Sequence, residues 1–452
     1  MGPRREILRI AVPVSAEFVV IFSVNFISQV IVGGLGTVAI AGVGFANSLT
    51  FIPLVVLGAL GVSLGILSAR SFGSGRREET SATTAVALTI SLGLSALLAC
   101  VIALRPESFL QLVGASEQVA HVGAEYLAVA ILALPFQVGG AVISGLYRST
   151  GHAKIPMYIT LGTATGGAVL AFILVYGVGP APEIGVAGAG IGILIGGVTK
   201  FILLVFLAYG PLNLVSWHAP WARRGWSTIV VPLLYLAVPL GLTETFWSVG
   251  LFLYNVIFAQ LGADDLAAAQ ITYTVEGVFI VASLGLAIAA TALIGKSIGQ
   301  GDAVAALAWV RRIIKAGYIT GVGFGAIYIS TILFLPKVFP NVDDTVISVA
   351  IFGIVINGAI QVAKVQSMII AAGILPSGND VKGVIIGDVT GSFLIGLPLA
   401  VLLGLHTPLG IYGVFGARVV EELAKWAIFA WRMRRVNWQA IARAHERPSI
   451  TT

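Results

Sequence analysis

The chain has 452 residues, of which 58% are hydrophobic and only 10% are charged, and its mean hydropathy is +0.99. A water-soluble domain carries about a quarter of its residues as charges, so this composition excludes a soluble enzyme. The net charge of +6 does not indicate nucleic acid, because the positions of the charges give a membrane-orientation signal. The single cysteine, Cys100, excludes a disulfide within the chain, and we predict no metal site and no cofactor.

Apolar runs of about twenty residues predict transmembrane helices, because a helix of that length crosses the hydrocarbon core of a bilayer. A β-barrel would instead show strands of about ten alternating residues. Twelve such runs follow one another in chain order. We place the predicted spans at 8–32, 43–68, 81–104, 121–146, 156–178, 187–209, 231–259, 267–293, 313–335, 347–373, 384–404 and 410–431.

The distribution of Lys and Arg predicts the orientation of these spans. With the N-terminus inside, twenty of the 26 Lys and Arg residues fall on the cytoplasmic side, whereas only Arg105 and Lys337 face outward. The apolar run after the basic N-terminus contains Glu17 and lacks a cleavage pattern, so it reads as an uncleaved first span. We expect a multi-pass protein of the inner membrane with both termini cytoplasmic, and a basic tail that lies along the membrane surface.

The two halves of the chain repeat each other at an offset of 226 residues. Residues 11–75 align with 237–301 without a gap, and the loop SARSFGSG at 68–75 meets IGKSIGQG at 294–301. The turn RSTGHAK at 148–154 aligns with PSGNDVK at 376–382. Six helices in each half predict two lobes related by a pseudo-two-fold axis along the membrane normal, with substrate between them. The predicted domains are an N-terminal lobe at 1–209, a cytoplasmic linker at 210–230, a C-terminal lobe at 231–431 and a basic tail at 432–452.

These motifs resemble those of the multidrug and toxic compound extrusion (MATE) family. The likeness rests on the early prolines Pro13 and Pro239, the loop after the second helix, the SGNDVK turn and the ending EELAKWAIFAWRMRRVNW. It covers essentially the whole chain. The resemblance implies a twelve-helix, two-lobed antiporter that exports amphipathic, often cationic compounds by using a Na⁺ or H⁺ gradient.

The sequence departs from the family pattern in its N-terminal half. Many bacterial relatives carry an Asp near the outer end of the first helix, where this chain has Ser28 and Gln29. The fifth helix of such relatives often offers an Asn and an Asp at the places that Gly167 and Ala171 occupy here. The cation site of the family's N-terminal lobe therefore does not carry over.

Charged side chains within apolar helices need a partner, a water cavity or a function. Glu276 lies near the middle of the eighth span, and we rank it first as the residue that exchanges the coupling H⁺ or Na⁺. The alternative is a fixed ion pair with Lys364. Glu421 and Lys425 stand four residues apart on one helical face and are predicted to form a structural pair.

Three further carboxylates are candidates for coupling. Glu17 ranks second, and its alternative is a structural pair with Lys200. Glu244 ranks third. It could belong to an inner gate, and the alternative is placement at the membrane interface without a function. Asp388 lies near the inner end of its helix, where water or Lys382 would satisfy it.

Four amide side chains could line a central cavity or form hydrogen bonds between helices. They are Asn25, Gln29, Asn255 and Gln361. No phosphate-binding G-x-x-x-x-G-K-[ST] loop is present, which excludes direct use of ATP by this chain.

We therefore predict a secondary active transporter that exports amphipathic, cationic organic compounds in exchange for H⁺ or Na⁺. Rocking of the two lobes would give alternating access. A monomer in the lipid bilayer, without an obligate protein partner, is the expected form. The alternatives are a lipid-linked precursor flippase of the same superfamily and a membrane-embedded transferase with a metal at Asp264-Asp265 or Asp343-Asp344.

Overall fold

The structure is a computed structural model that describes residues 2–112, 115–216, 226–338 and 343–446. The described residues are almost entirely helical, as the apolar runs predict. The chain divides into two compact units. One comprises Ala16–Gly241, and the other comprises Met1–Ser15 with Leu242–Thr452. The predicted domain limits stay predictions beside this division.

The first unit contains most of the N-terminal half of the chain. Its buried residues form two hydrophobic clusters, one around Tyr126 and Leu127 and one around Tyr147 and Leu146. Its helices are α1 (Pro3–Gly33, from Ala16 onward), α2 (Thr37–Gly73), α3 (Arg77–Leu104), α4 (Pro106–Leu112), α5 (Glu117–Ala130), α6 (Leu134–Ser149), α7 (Lys154–Tyr176), α8 (Val186–Tyr209) and the start of α9 (Trp226–Leu261).

The second unit has its own core around Phe258, Tyr328 and Phe415. It contains most of α9 and the first residues of α1. Its further helices are α10 (Ala263–Gly299), α11 (Ala303–Ser330), α12 (Leu335–Val338), α13 (Asp344–Ala359), α14 (Gln361–Ile369), α15 (Leu375–Ser377), α16 (Val381–Asp388), α17 (Leu397–Leu405), α18 (Gly410–Arg435) and α19 (Trp438–Glu446).

Eleven of the predicted spans meet the length and hydropathy expected of a membrane-crossing segment. Ten are single helical stretches, and the eleventh is the pair 344–359 and 361–377, which is bent by 53°. The twelfth predicted span is α18, whose 26 residues are long enough to cross but include four charges between Arg418 and Lys425. Large apolar side chains such as Phe206 (62% exposed) and Leu394 (68%) point outward from their units, as expected of surfaces that face lipid.

The turns at the repeated motifs have the same backbone geometry. After α2 and again after α10, three successive amides donate to carbonyls four, three and five residues earlier. Gly75 and Gly301 occupy the same position in these turns, and each has a φ of 75°. The turns 148–154 and 376–382 use the same hydrogen-bond pattern, with positive φ at Gly151 and Asn379. Glycine and asparagine are the residues that enter this region at least cost.

The basic tail begins with a short amphipathic helix whose apolar face is packed within the protein. Asn437 caps α19 by accepting a hydrogen bond from the amide of Ala440 (3.0 Å). The buried side chains of Trp438 and Ala442 lie on this helix, which contacts α10 and α11. The prediction that the basic tail lies along the membrane surface stays a prediction beside this packing. Residues 447–452 lie outside the described part of the chain.

The end of α18 is joined to the repeated turn at 376–382 by an ion pair. Arg432 donates from Nε to Oδ2 of Asp380 (2.9 Å) and from a terminal nitrogen to Oδ1 (2.5 Å). This hydrogen bonding raises the pKa of Arg432, which lies just beyond the last predicted span. Asp380 also caps α16 by accepting from the amide of Gly383 (3.1 Å). Within the predicted linker at 210–230, α9 begins at Trp226, and residues 217–225 lie outside the described ranges.

Candidate functional site

The second unit contains a buried ion pair between α10 and the broken span α13–α14. Lys364 donates to Oε1 of Glu276 (2.5 Å) and to Oδ1 of Asn357 (2.6 Å). Both Glu276 and Lys364 are 5% exposed, and Asn357 is 1% exposed. The structure thus brings together two residues that stand 88 positions apart in the sequence, and adds an amide oxygen to the predicted pair.

The broken span explains how Asn357 and Lys364 reach the same point. The α13 helix ends at Ala359 and α14 begins at Gln361 after the 53° bend. Asn357 donates from its amide nitrogen to the carbonyl of Gly353 (2.8 Å), which fixes the side chain and leaves its oxygen for the ammonium. A π-helical segment follows at Ile370–Ile374, and such segments are frequent near functional sites.

Polar groups without partners lie in the same unit. Gln361 is completely buried, and neither its amide oxygen nor its amide nitrogen has a hydrogen-bond partner in the structure. The hydroxyl of Tyr273, three residues before Glu276 on α10, is also buried and has no hydrogen-bond partner within the described part of the chain. A buried polar group without a partner costs free energy, so these positions favour a second arrangement in which the groups are satisfied.

A second buried cluster in this unit surrounds Glu421. Lys425 lies 2.6 Å from Oε1 of Glu421, and Tyr254 and Ser392 donate hydrogen bonds to the same carboxylate (2.5 and 2.7 Å). Arg418 contacts Oε2 at 3.6 Å and stacks on the ring of Tyr254, 4.6 Å from its centroid. The carboxylate is 1% exposed and has more than two partners, which is the arrangement expected of a structural site.

The first unit contains a cluster around Glu17 on α1. Oε2 of Glu17 accepts from Arg148 at the end of α6 (2.8 Å), and Oε1 accepts from Thr160 on α7 (3.0 Å) and from Lys200 on α8 (3.3 Å). Glu17 is completely buried. The structure therefore places Glu17 beside the predicted Lys200 and adds Arg148, which the sequence assigned to a cytoplasmic loop.

Glu244 lies on α9, and Asp388 is the last residue of α16. Both side chains are half-buried. Among the described residues neither carboxylate has an ion-pair partner, and the proposed neighbour of Asp388, Lys382, is exposed. Asp388 begins a π-helical segment at Val389–Gly396.

The four amide candidates differ in their surroundings. Gln29 is exposed. Asn255 accepts a hydrogen bond from Gln270 (3.1 Å), so it connects α9 with α10. Gln361 is completely buried and packs against Gly325 of α11. The side chain of Asn25 lies outside the described part of the structure.

Helices α7 and α8 pack closely at Gly167 and Ala171, the two positions at which the resemblance implies an Asn and an Asp. A Cβ atom added at Gly192 of α8 would meet the carbonyl oxygen of Gly167, and it would lie 2.7 Å from the Cβ of Ala171. Small residues permit such close approach of transmembrane helices. Ala171 is 3% exposed, so a carboxylate at position 171 would be buried at this contact.

Among the residues of these clusters that sequence reasoning missed are Arg148, Arg418 and Asn357. Arg148 lies in the last turn of α6, because that helix continues three residues beyond the predicted span. The contact of Arg418 with Glu421 could have been predicted, because the two residues stand three positions apart on one helix. Asn357 precedes Lys364 by seven positions, and only the bend between them brings the two side chains together.

A protein-family model described as MatE matches residues 13–173 and 239–402. The two matched segments cover most of the chain. They begin at 13 and 239, which is the offset of 226 residues found in the sequence repeat.

Full-length relatives and solved structures agree with this match. The chain is 25% identical to a probable multidrug resistance protein NorM of Bradyrhizobium diazoefficiens, over 91% of this chain and 88% of the relative. It is also 25% identical to the corresponding protein of Chromobacterium violaceum, over 98% and 96%. An outward-facing multidrug resistance MATE family transporter of the MOP superfamily has the same fold, with a TM-score of 0.87, 21% identity, and coverage of 98% of this chain and 97% of that one.

Proposed function

Because the chain belongs to the MatE family of membrane transporters, we propose that it exports amphipathic, cationic organic compounds in exchange for H⁺ or Na⁺ by alternating access. The relatives from Bradyrhizobium diazoefficiens and Chromobacterium violaceum are described as probable multidrug resistance proteins, which supports export of drug-like compounds. We further propose an inner-membrane monomer with cytoplasmic termini, from the distribution of Lys and Arg.

The observation that carries the proposal is the buried contact of Glu276 with Lys364. The ammonium of Lys364 lies between one carboxylate oxygen and one amide oxygen, which are the ligand types that a coupling cation would use. Protonation of Glu276, or arrival of a cation, would weaken its attraction to Lys364. The pair then has two states that differ in charge, and it lies next to a break in a membrane span.

Glu17 and Glu244 rank below Glu276 for reasons that the contacts supply. Glu17 is held by Arg148, Thr160 and Lys200 together, so its charge is more firmly stabilised than that of Glu276. Glu244 and Asp388 are both half-buried, and neither has an ion-pair partner among the described residues. These three carboxylates stay candidates for coupling after Glu276.

Gradient-driven efflux tests the assignment of Glu276. Vesicles that contain the parent protein, Glu276→Gln, or Glu276→Gln with Lys364→Met are loaded with ethidium, and efflux is followed under an imposed pH or Na⁺ gradient. We expect both folded variants to lose gradient-driven efflux. A folded variant that pumps at the parental rate under the same gradient would show that Glu276 is structural.

A matched control removes the other buried Glu–Lys pair of the same unit. The double variant Glu421→Gln with Lys425→Met deletes a pair of similar burial and also removes the carboxylate that Arg418 contacts at 3.6 Å. We expect it to retain efflux per folded molecule. Loss of efflux in both double variants would indicate a general effect of removing buried charges. Rescue of a cell-wall defect without any efflux of dyes would instead support the lipid-linked precursor flippase.

A further inference from the structure

The cluster around Glu17 carries more positive than negative charge. Arg148 and Lys200 both contact the single carboxylate of Glu17, at 2.8 and 3.3 Å. The remaining partner, Thr160, is neutral. With Glu17 ionised the cluster therefore has a surplus of one positive charge, whereas the pair of Glu276 and Lys364 is balanced.

The two cations also have unused hydrogen-bond donors. Glu17 accepts from one terminal nitrogen of Arg148, and the buried Nε of the same guanidinium has no acceptor in the structure. The ammonium of Lys200 has three N–H groups, and Glu17 is its one acceptor among the described residues. A buried donor without an acceptor is costly, so the cluster lacks an acceptor group that would complete it.

The solvent-exposed part of the cluster lies on the side chains of Arg148 and Lys200. The side chains of Arg148 and Lys200 are 13% and 18% exposed, whereas that of Glu17 is 0% exposed. The accessible part of the cluster therefore lies on the two cationic side chains and not on Glu17. The ring of Phe18 covers one side of the Arg148 guanidinium, 5.2 Å from its centroid, and supplies an apolar wall.

We propose that Arg148 and Lys200 form a binding site for an anionic carboxylate or phosphate group, and that Glu17 is its built-in competitor. Guanidinium groups recognise carboxylate and phosphate oxygens through parallel N–H donors, and a nearby ammonium adds charge. The bound group neutralises the surplus charge and accepts from the unused donors. It is either a soluble anion or the headgroup of an anionic lipid. This site does not rest on the proposed transport function, because binding can be measured without a gradient.

Because Glu17 competes with the anion for the two cations, the proposal predicts that replacing Glu17 increases anion affinity. Glu17→Gln removes the internal negative charge and leaves both cations free for the ligand, so we expect anion affinity to rise by about 10-fold. Arg148→Gln and Lys200→Gln each remove one charged donor, and we expect affinity to fall by about 10-fold. Lys154→Gln removes an exposed basic residue at the start of α7 and serves as the matched control.

The experiment uses the full-length protein in phosphatidylcholine nanodiscs at constant ionic strength. Inorganic phosphate and benzoate are titrated while the thermal unfolding midpoint is recorded, and a parallel series contains phosphatidylglycerol nanodiscs. Stabilisation by phosphate or benzoate identifies a soluble anion, and stabilisation by phosphatidylglycerol alone identifies the lipid headgroup. Either result supports the site if Glu17→Gln strengthens it and Lys154→Gln leaves it unchanged.

Two results would overturn the proposal. In one, the four variants respond to the anions as the parent protein does. In the other, Glu17→Gln weakens the response, as expected if the three side chains form only a structural ion cluster. If Arg148→Gln does not fold, Lys200→Gln and Glu17→Gln still decide the question, because the proposal requires opposite changes from these two variants.

Discussion

At the scale of single residues, the pairing of Glu276 with Lys364 makes a prediction about stability that is separate from transport. Glu276→Gln leaves the buried ammonium of Lys364 without its carboxylate, which costs about 3–5 kcal/mol. Adding Lys364→Met removes the unpaired charge, so we expect the double variant to recover most of the loss. The thermal unfolding midpoint of each purified protein measures this order.

The single variant Lys364→Met provides the second arm of that comparison. It leaves Glu276 without its cation, and we expect a loss comparable to that of Glu276→Gln. A double variant that is no more stable than either single variant would contradict the pairing. The measurement needs no gradient, so its outcome does not depend on which ion is coupled.

The sequence predicted individual partners where spacing or depth determines them, and failed where helix ends or bends determine them. Glu421 and Lys425 stand four positions apart, so one helical face joins them in any fold. The partners Glu276 and Lys364 follow from two opposite charges placed deep in apolar helices. Arg148 could not be found this way, because a helix that extends by three residues moves it from the loop to the side of Glu17.

At the scale of helices and turns, the repeated turns after α2 and α10 are the clearest match between sequence and structure. Gly75 and Gly301 share a φ of 75°, and a Cβ atom at Gly75 would meet nothing within 4 Å. The cost of a side chain there is therefore purely conformational. We expect Gly75→Ala and Gly301→Ala each to lower stability by about 1 kcal/mol.

Asparagine provides the control for this prediction, because it occupies the corresponding position of a further repeated turn as Asn379. Gly75→Asn and Gly301→Asn should cost less than the alanine variants at the same positions. Thermal unfolding of the four proteins measures the difference. Equal losses for alanine and asparagine would mean that some contact, and not the backbone angle, requires glycine.

The irregular helices are the elements that the sequence did not predict. The span 347–373 was predicted as one helix, yet it bends by 53° after Ala359 and continues into a π-helical segment. No proline lies at the bend. Apolar periodicity cannot locate such a break, because the residues on both sides of it are apolar and helical.

At the scale of the whole molecule, the internal repeat carried more information about the number of membrane spans than hydropathy did. Ten single helices and one bent pair are long and apolar enough to cross a membrane, whereas α18 carries four charged residues between Arg418 and Lys425. The repeat requires a sixth helix in the second half to match the sixth helix of the first. The family match, which starts at 13 and again at 239, has the same offset.

The orientation in the membrane follows from charge alone, and labelling of single cysteines can test it. In a Cys100→Ser background, Ser74→Cys and Gln300→Cys place a thiol in the two equivalent turns after α2 and α10, and Asp264→Cys places one at the start of α10. A helix of 37 residues separates Asp264 from Gln300, which is long enough to cross the bilayer. We expect a membrane-impermeant maleimide to label position 264 in intact cells, and positions 74 and 300 only after the cytoplasmic side is opened.

Labelling both equivalent turns, at positions 74 and 300, distinguishes more topologies than one label on each side of the membrane. If the halves were inverted relative to each other, the two equivalent turns would react from opposite sides of the membrane. Each turn considered alone would still be labelled from one side only. If an odd number of spans separated the turns, the same split would appear. Labelling of 74 and 300 from one side, with 264 from the other, requires an even number of spans between the turns and one across α10, as the excess of Lys and Arg on the cytoplasmic side predicts.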